Sequence, residues 1–414
     1  MSKKRFFTIL PILITLLSVL SIAPYSKIDL FNTTFWWLFE LCFLLIFWRV
    51  KIIFFDKSLS SSNFLFISIY IYWILFCAFR GILIAETYWD WKALIDNSMA
   101  LLLPITAYSL SNIFLSQAIL KVYIKYSLPL FFLLAPIISK DSYGFYLVPI
   151  SIIFLFFPTL TFRLKITAIF FTLVVLFADF DARSNLIKFS VPILMFGLYY
   201  LRNTLVINFF EIARKTLFFI PILFLGLAIS NTFNVFDMDK YIKADRRELR
   251  RDDRGEVVEV SMKADTRTFL YVEVLKSAIK YDYWFLGRTP ARGNESPSFS
   301  NYAITGRNER MTNEVAILNV FTWTGLVGVL LYMLVFYKAS YLAINYSNNV
   351  YSKILGIYTS FRWVYAWVED VNIFTLTTFM LWFMLALCVS KSFRRLNDIE
   401  VEMWVKGILR KGFN

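Results

Sequence analysis

The chain has no histidine among its 414 residues. That removes the side chain that most often moves protons near neutral pH. Cysteine is nearly absent as well. Cys42, Cys77 and Cys388 each lie inside an apolar run, and no Cys-x-x-Cys pair occurs. They read as small hydrophobes, so neither a disulfide framework nor a zinc site is expected. There is no internal repeat and no GxxxxGK[ST] loop to cradle a nucleotide. No metal and no cofactor is called for.

What is abundant is apolar. The chain is 58% hydrophobic, with 45 Phe and 12 Trp, and its mean hydropathy is +0.61. A soluble domain would not expose so much apolar surface. The apolar residues come in runs of about 15–20, the length of a bilayer-spanning helix. The expectation is an all-α polytopic membrane protein with about twelve transmembrane helices. They fall near 6–23, 35–49, 64–79, 97–110, 123–138, 145–160, 166–177, 185–200, 217–230, 315–337, 354–368 and 374–389. The basic, then apolar, then small-residue N-terminus resembles a signal peptide. Pro24 directly after it makes a poor cleavage site, so it reads as a retained first helix.

The formal charge of +14 points to topology rather than to nucleic acid. Lys and Arg collect in cytoplasmic loops and fix orientation. With Lys3-Lys4-Arg5 inside, the basic loops at Arg49/Lys51/Lys57, Lys121/Lys125, Arg163/Lys165, Arg202/Arg214/Lys215, Lys338 and Lys391/Arg394/Arg395 all fall on that side. Both termini are then cytoplasmic. The opposite loops include "AETYWDW" (85–91), read as an interfacial aromatic belt, and "WVEDVN" (367–372). The chain divides into nine helices over 1–230, a large outer loop over 231–313, three helices over 314–390 and a cytoplasmic tail over 391–414.

The loop carries 15 Lys/Arg against 13 Asp/Glu, a net charge of only about +2, so it is a hydrated mixed segment rather than a basic arm. Weak alternation in "EVVEV" suggests a short hairpin turning at Asp253–Gly255. "DTRTFLYVEVLKSAIKYDYWFLG" then reads as an amphipathic helix lying along the membrane surface, capped by Asp265 or Thr266 and closed by Gly287. Phe269, Val272 and Leu275 share one flank of it.

An arginine at or inside a membrane boundary needs a reason. In "ADFDARSN" (178–185), Arg183 can bind an anionic group with Asp181 steadying it, or the pair can simply snorkel at a helix turn. Asp179 and Asp181 also form a metal-type D-x-D, a weak signal that recurs at Asp237/Asp239. Arg267 starts the amphipathic helix, and Arg288 and Arg292 follow it. Guanidinium forks suit diphosphate, although each alone can be an ordinary surface charge. "RNERMTNEVAILNVFTWTGLVG" sets Arg307 and Arg310 beside Glu314 at the lip of a helix. Arg362 sits mid-span, where a partner such as Glu369 or Asp370 and a structural role are expected. Together these residues suit a lipid-borne diphosphate with a polar head. Such a donor arrives activated, so cations must take up developing charge and a carboxylate must activate the attacking hydroxyl.

In its helix layout, in "DARSN", in "DTRTFLYVEVLKSAIKYDYWFLG", and in "EVAILNVFTWTGLVG" with Gly325 and Gly328, the chain resembles the bacterial O-antigen polymerase and ligase family, the Wzy-type polymerases and their lipid A-core ligase relatives. The likeness covers residues 166–390 in layout and about thirty residues in motif. Ligases of the family open the last motif with histidine. Here Glu314 stands at that position, which favours a polymerase over a ligase or a protein oligosaccharyltransferase. The resemblance implies metal-independent glycosyl transfer on the periplasmic side of the inner membrane, from undecaprenyl diphosphate to the next lipid-linked repeat unit. It also implies a chain-length regulator and a flippase as partners, with membrane lipids around the protein. In that reading Glu314, Arg183 and Asp181 are catalytic, and Arg267, Arg288, Arg292, Arg307, Arg310 and Arg362 bind diphosphate or glycan. A non-enzymatic flippase or other transporter is the alternative; it would more often show repeated halves and short loops.

Overall fold

A computed structural model describes all residues except 1, 56–60, 179–182, 203, 205–206, 231, 235, 237–246, 252–256, 262–266, 297–304 and 410–414. The apolar runs are helices, the form in which backbone groups away from water satisfy one another within a segment. In chain order they are α1 (Lys3–Leu20), α2 (Thr33–Phe54), α3 (Leu65–Ile84), α4 (Tyr88–Leu101), α5 (Thr106–Leu110), α6 (Ile113–Val122), α7 (Leu128–Leu134), α8 (Tyr143–Phe154), α9 (Phe162–Ala178), α10 (Arg183–Tyr200) and α11 (Ile207–Ile229). After the loop segment come α13 (Ala316–Asn345), α14 (Val350–Tyr365) and α15 (Leu376–Val389), while α12 (Thr268–Tyr281) lies within that segment. The tail holds α16 (Lys391–Arg395) and α17 (Asp398–Gly407).

Every residue of α15 is buried, so this apolar helix is the central pillar rather than a lipid-facing span. The outer helices do the opposite. Tyr72 and Leu83 on α3, Leu194 on α10 and Ile212 and Ile229 on α11 are all more than 60% exposed, which only a membrane makes tolerable. By length and composition five stretches among the described residues can cross a membrane: Ser62–Ile84, Tyr88–Leu110, Ile113–Leu134, Ile207–Ile229 and Ala316–Asn345. The structure is thus that of an all-α membrane protein. Each expected run is helical, but α8, α14 and α15 hold only 12, 16 and 14 residues. The sequence estimate of about twelve full spans exceeds what helix length supports.

The loops gather at two ends. At one, Lys27 N donates to Ile137 O (2.8 Å), Asn185 Nδ2 to Asp141 O (2.6 Å), Asn97 Nδ2 to Pro290 O (2.9 Å) and Arg267 Nε to Val368 O (3.1 Å). At the other, Trp404 Nε1 donates to Ile113 O (2.7 Å), Arg394 Nη1 to Tyr346 O (2.7 Å) and Asn112 Nδ2 to Phe54 O (3.4 Å). The 391–409 segment is therefore docked on the bundle rather than free.

Two local expectations change. "AETYWDW" is not all loop: Thr87 caps α4, and Thr87 and Asp90 form a capping box, so Tyr88–Trp91 are helical. The amphipathic helix α12 buries Leu270, Val274, Ser277 and Ala278, while Val272, on the flank shared with Phe269 and Leu275, is exposed. Arg267 holds the N-cap position without capping the helix through its side chain, which bonds elsewhere, and the proposed caps Asp265 and Thr266 lie outside the described residues. Of the expected hairpin the strands are present, β1 (Arg247–Arg251) paired antiparallel with β2 (Val257–Ser261), and the turn at Asp253–Gly255 lies outside the described residues. A second pair, β3 (Asn294–Glu295) with β4 (Glu309–Arg310), ties the loop to the start of α13.

The run 315–337, read from sequence as one span, is broken. Gly325 has φ +67° and ψ −173°, which interrupts α13. The turn 284–288 enters the gap. Arg288 N donates to Thr322 O (2.7 Å), Leu326 N to Trp284 O (2.7 Å), and Trp73 Nε1 caps Thr324 O (3.0 Å). Gly287, at φ +69°, lies so close that a Cβ there would come within 2.5 Å of Gly325 N, and a Cβ at Gly325 within 2.1 Å of Phe285 O. Both glycines are needed because two backbones touch where L side chains have neither room nor the right conformation. Irregular backbone at this depth survives because protein donors and acceptors replace the lost helical bonds.

Candidate functional site

The start of α13 is held by the α14–α15 connection. Val315 caps α13 without a side-chain bond; instead Ala316 N donates to Glu369 O (3.2 Å) and Ile317 N to Ala366 O (3.0 Å). This sets Glu369 and Asp370 beside Glu314. Asn319 Oδ1 accepts from Asn313 N (2.6 Å), while its Nδ2 donates to Asp370 Oδ2 (3.1 Å).

The predicted arginines fall into three groups. Arg267 Nη1 and Arg310 Nη2 (3.2 Å) each hold one oxygen of Glu314, and Arg267 Nη2 lies 3.7 Å from Glu369. Arg288 Nη2 (3.1 Å) and Arg292 both grip Glu309, with Arg292 Nε 3.0 Å from its second oxygen. Arg307 bridges Asp90 (2.9 Å) and Glu86 (2.9 Å). Burial pushes the Glu309 carboxyl up, but the hydrogen bond from Arg292 and the fields of Arg288, Arg292 and Arg307 outweigh it and hold the group below its ordinary value.

Two calls land differently. Arg362 is buried and stacks 5.2 Å from the Tyr365 ring, but its Nε and Nη2 have no hydrogen-bond partner, and it forms no ion pair with Glu369 or Asp370. Glu369 faces Lys188 (4.0 Å) and Arg267 instead. The reason is direction: Arg362 is one turn before the helix end, while Glu369 and Asp370 have already turned toward α13. Arg183 is exposed at the first position of α10, with no ion pair among the described residues; Asp181, like Asp179, lies outside them.

Two hollows flank the Arg267–Glu314–Arg310 group. An open groove of about 300 Å³ is walled by Pro221 and Phe224 of α11, Tyr271, Val272 and Leu275 of α12, and Val368. It is almost wholly apolar, and its Val368 carbonyl is the one that receives Arg267. A second cavity, of about 390 Å³, runs between α1, α2, α4 and the 370–378 segment. Thr312, whose carbonyl receives Arg310 Nε (3.1 Å), lines it, together with Tyr25, Trp36, Trp37, Phe145 and Trp323. Its carboxyl and amino groups are those of Glu40, Asp96, Asp370 and Lys92.

Asp370 was read from the sequence only as a partner for Arg362. It faces the cavity and is otherwise enclosed by protein. Burial pushes its carboxyl up to about 7, against the hydrogen bonds from Asn372 N and Asn319. That suits a group that takes a proton near neutral pH. The sequence reading passed over Glu40 and Asp96. A lone acid inside the apolar run "WWLFELCF" was the available signal for the first. The described residues contain no group of three or more metal-type ligands. No known protein family, curated protein or solved structure matches the chain.

Proposed function

We propose that the protein transfers glycans from a polyprenyl diphosphate carrier, joining lipid-linked repeat units into a polysaccharide at the periplasmic face of a bacterial inner membrane. One observation carries this reading: the guanidinium pair on Glu314 reaches a wall residue of an apolar groove through the Val368 carbonyl and a wall residue of a polar, aromatic cavity through the Thr312 carbonyl. A lipid tail fits the groove, a diphosphate fits the guanidinium forks, and a sugar fits the cavity. The basic loops favour placing that end outside the cell.

In this mechanism Arg267 and Arg310 hold the diphosphate and take up the negative charge that develops as it leaves. Glu314 holds both guanidiniums in readiness and gives way when diphosphate arrives. Asp370 accepts the proton of the attacking hydroxyl, because it lines the cavity that takes the sugar and burial raises its carboxyl to about 7. Arg288, Arg292 and Arg307 fix the loop that carries Arg310.

The test is incubation of the purified protein with a lipid-linked repeat unit, followed by gel separation. A ladder of products with release of lipid diphosphate is expected. Movement of the lipid across a vesicle membrane with no new glycosidic bond would make the protein a flippase, a reading to which the broken helix α13 lends some weight because transporters also use interrupted helices.

A further inference from the structure

Glu40 and Asp96 form a second pair of carboxylates that takes no part in the guanidinium network. Both sit inside apolar helices, on α2 and α4, and both line the 390 Å³ cavity. A carboxylate at that depth is costly unless something answers it. Asp96 accepts a hydrogen bond from Trp37 Nε1. Glu40 is 7% exposed, and its Oε2 has no hydrogen-bond partner. Thr377, 4% exposed on the same wall, has an equally unpartnered hydroxyl. Three indoles, those of Trp36, Trp37 and Trp323, face the same space, and the Tyr25 ring stacks on Phe145 at 5.2 Å beside it.

Flat apolar rings beside unpaired acceptors describe a wall for a ring that carries many donor groups. The charge balance narrows the choice. Three carboxyl groups, those of Glu40, Asp96 and Asp370, face a single Lys92, so the wall offers an acidic occupant little cationic partnership, whereas carboxyl oxygens welcome a donor of O–H or N–H bonds. The volume is within the usual range of small-ligand sites, roughly 300–1,000 Å³. We infer that this cavity is a saccharide chamber that takes an uncharged or amine-bearing pyranose unit, with Glu40 and Asp96 accepting its hydroxyl or amine protons and Trp37 stacking on its face. The chamber depends on the glycan-transfer reading only for its place in a reaction. Binding stands or falls alone.

The test uses the full chain in lipid nanodiscs and calorimetric titration with five trisaccharides: chitotriose, its deacetylated glucosamine form, maltotriose, mannotriose and trigalacturonic acid. At least one of the first four should bind, with trigalacturonic acid at least tenfold weaker. Glu40→Gln should weaken the best of them at least tenfold. Thr33→Trp should do the same; Thr33 lines the cavity but is exposed, so a bulky side chain there can obstruct the space without entering the core. The chamber is overturned if none of the four binds, if trigalacturonic acid binds as tightly, or if Thr33→Trp binds like the parent. A product ladder with no trisaccharide binding rejects the chamber and leaves the polymerase standing. Binding with no ladder does the reverse.

Discussion

The Arg288–Arg292–Glu309 cluster and the Arg267–Glu314–Arg310 cluster are made of the same two residue types at the same end of the bundle. They differ in how much water reaches the carboxylate. The Glu309 side chain is 7% exposed and the Glu314 side chain 57%. A buried pair holds its geometry because breaking it strands a charge. An exposed pair is worth little and can exchange partners. The same chemistry thus serves as a buried fastener in one place and stays open to water in the other, where the proposed mechanism puts the diphosphate. The hollows flank the second cluster, on its Val368 and Thr312 sides.

The sharpest way to break this contrast is Glu309→Ala. It leaves two largely buried guanidiniums unpaired and should cost about 3–5 kcal/mol, read as a large drop in melting temperature in detergent. A variant as stable as the parent would put Glu309 among the exchangeable groups. Next is Arg267→Ala. Removing a donor that takes up developing charge should slow transfer by roughly 10²–10³-fold, with the protein still in the membrane at normal abundance. Unchanged polymer length would move the diphosphate elsewhere.

A third prediction uses pH. If Asp370 is the base, transfer should rise about tenfold per pH unit up to about 7 and then level off, and Asp370→Asn should abolish that limb. The stability effect has the opposite sense. The folded protein binds this proton more tightly than the unfolded chain, so the stability it contributes is present in acid and is lost as pH rises through about 7; Asp370→Asn removes that loss. A pH profile identical in parent and Asn variant would return the base role to Glu314. The smallest effect is expected from Glu314→Gln. Its exposed ion pairs should contribute less than about 1 kcal/mol, so melting should hardly shift. A fall in transfer as deep as that of Asp370→Asn would make Glu314 the proton acceptor.

Much of the fold was legible, because long apolar runs admit few structures in a membrane. The places of α1, α2, α3, α9, α10 and α13 follow directly from them. What the run lengths do not reveal is that α15 is enclosed on all sides, and a helix enclosed by protein need not match a bilayer in length. The arginines of the candidate site were legible as a set, because guanidinium at a membrane boundary is conspicuous. Their division into a buried cluster and a water-exposed one was not, because Asp90, Glu86 and Glu309 meet them from distant or unremarkable positions. Asp370 was visible as a residue and misjudged as a partner, since sequence spacing cannot show that a helix end has turned.

By itself the sequence determined that this is a helical membrane protein without histidine chemistry, with its charges concentrated at boundaries. Periodicity and the cost of burying charge are local properties, and they survive without knowledge of neighbours. Only the tertiary structure decided that Gly287 meets Gly325, that Glu40 and Asp96 share a cavity, and which arginines are already bound. Those facts depend on packing between segments far apart in the chain, where a few ångströms separate an ion pair from an open site.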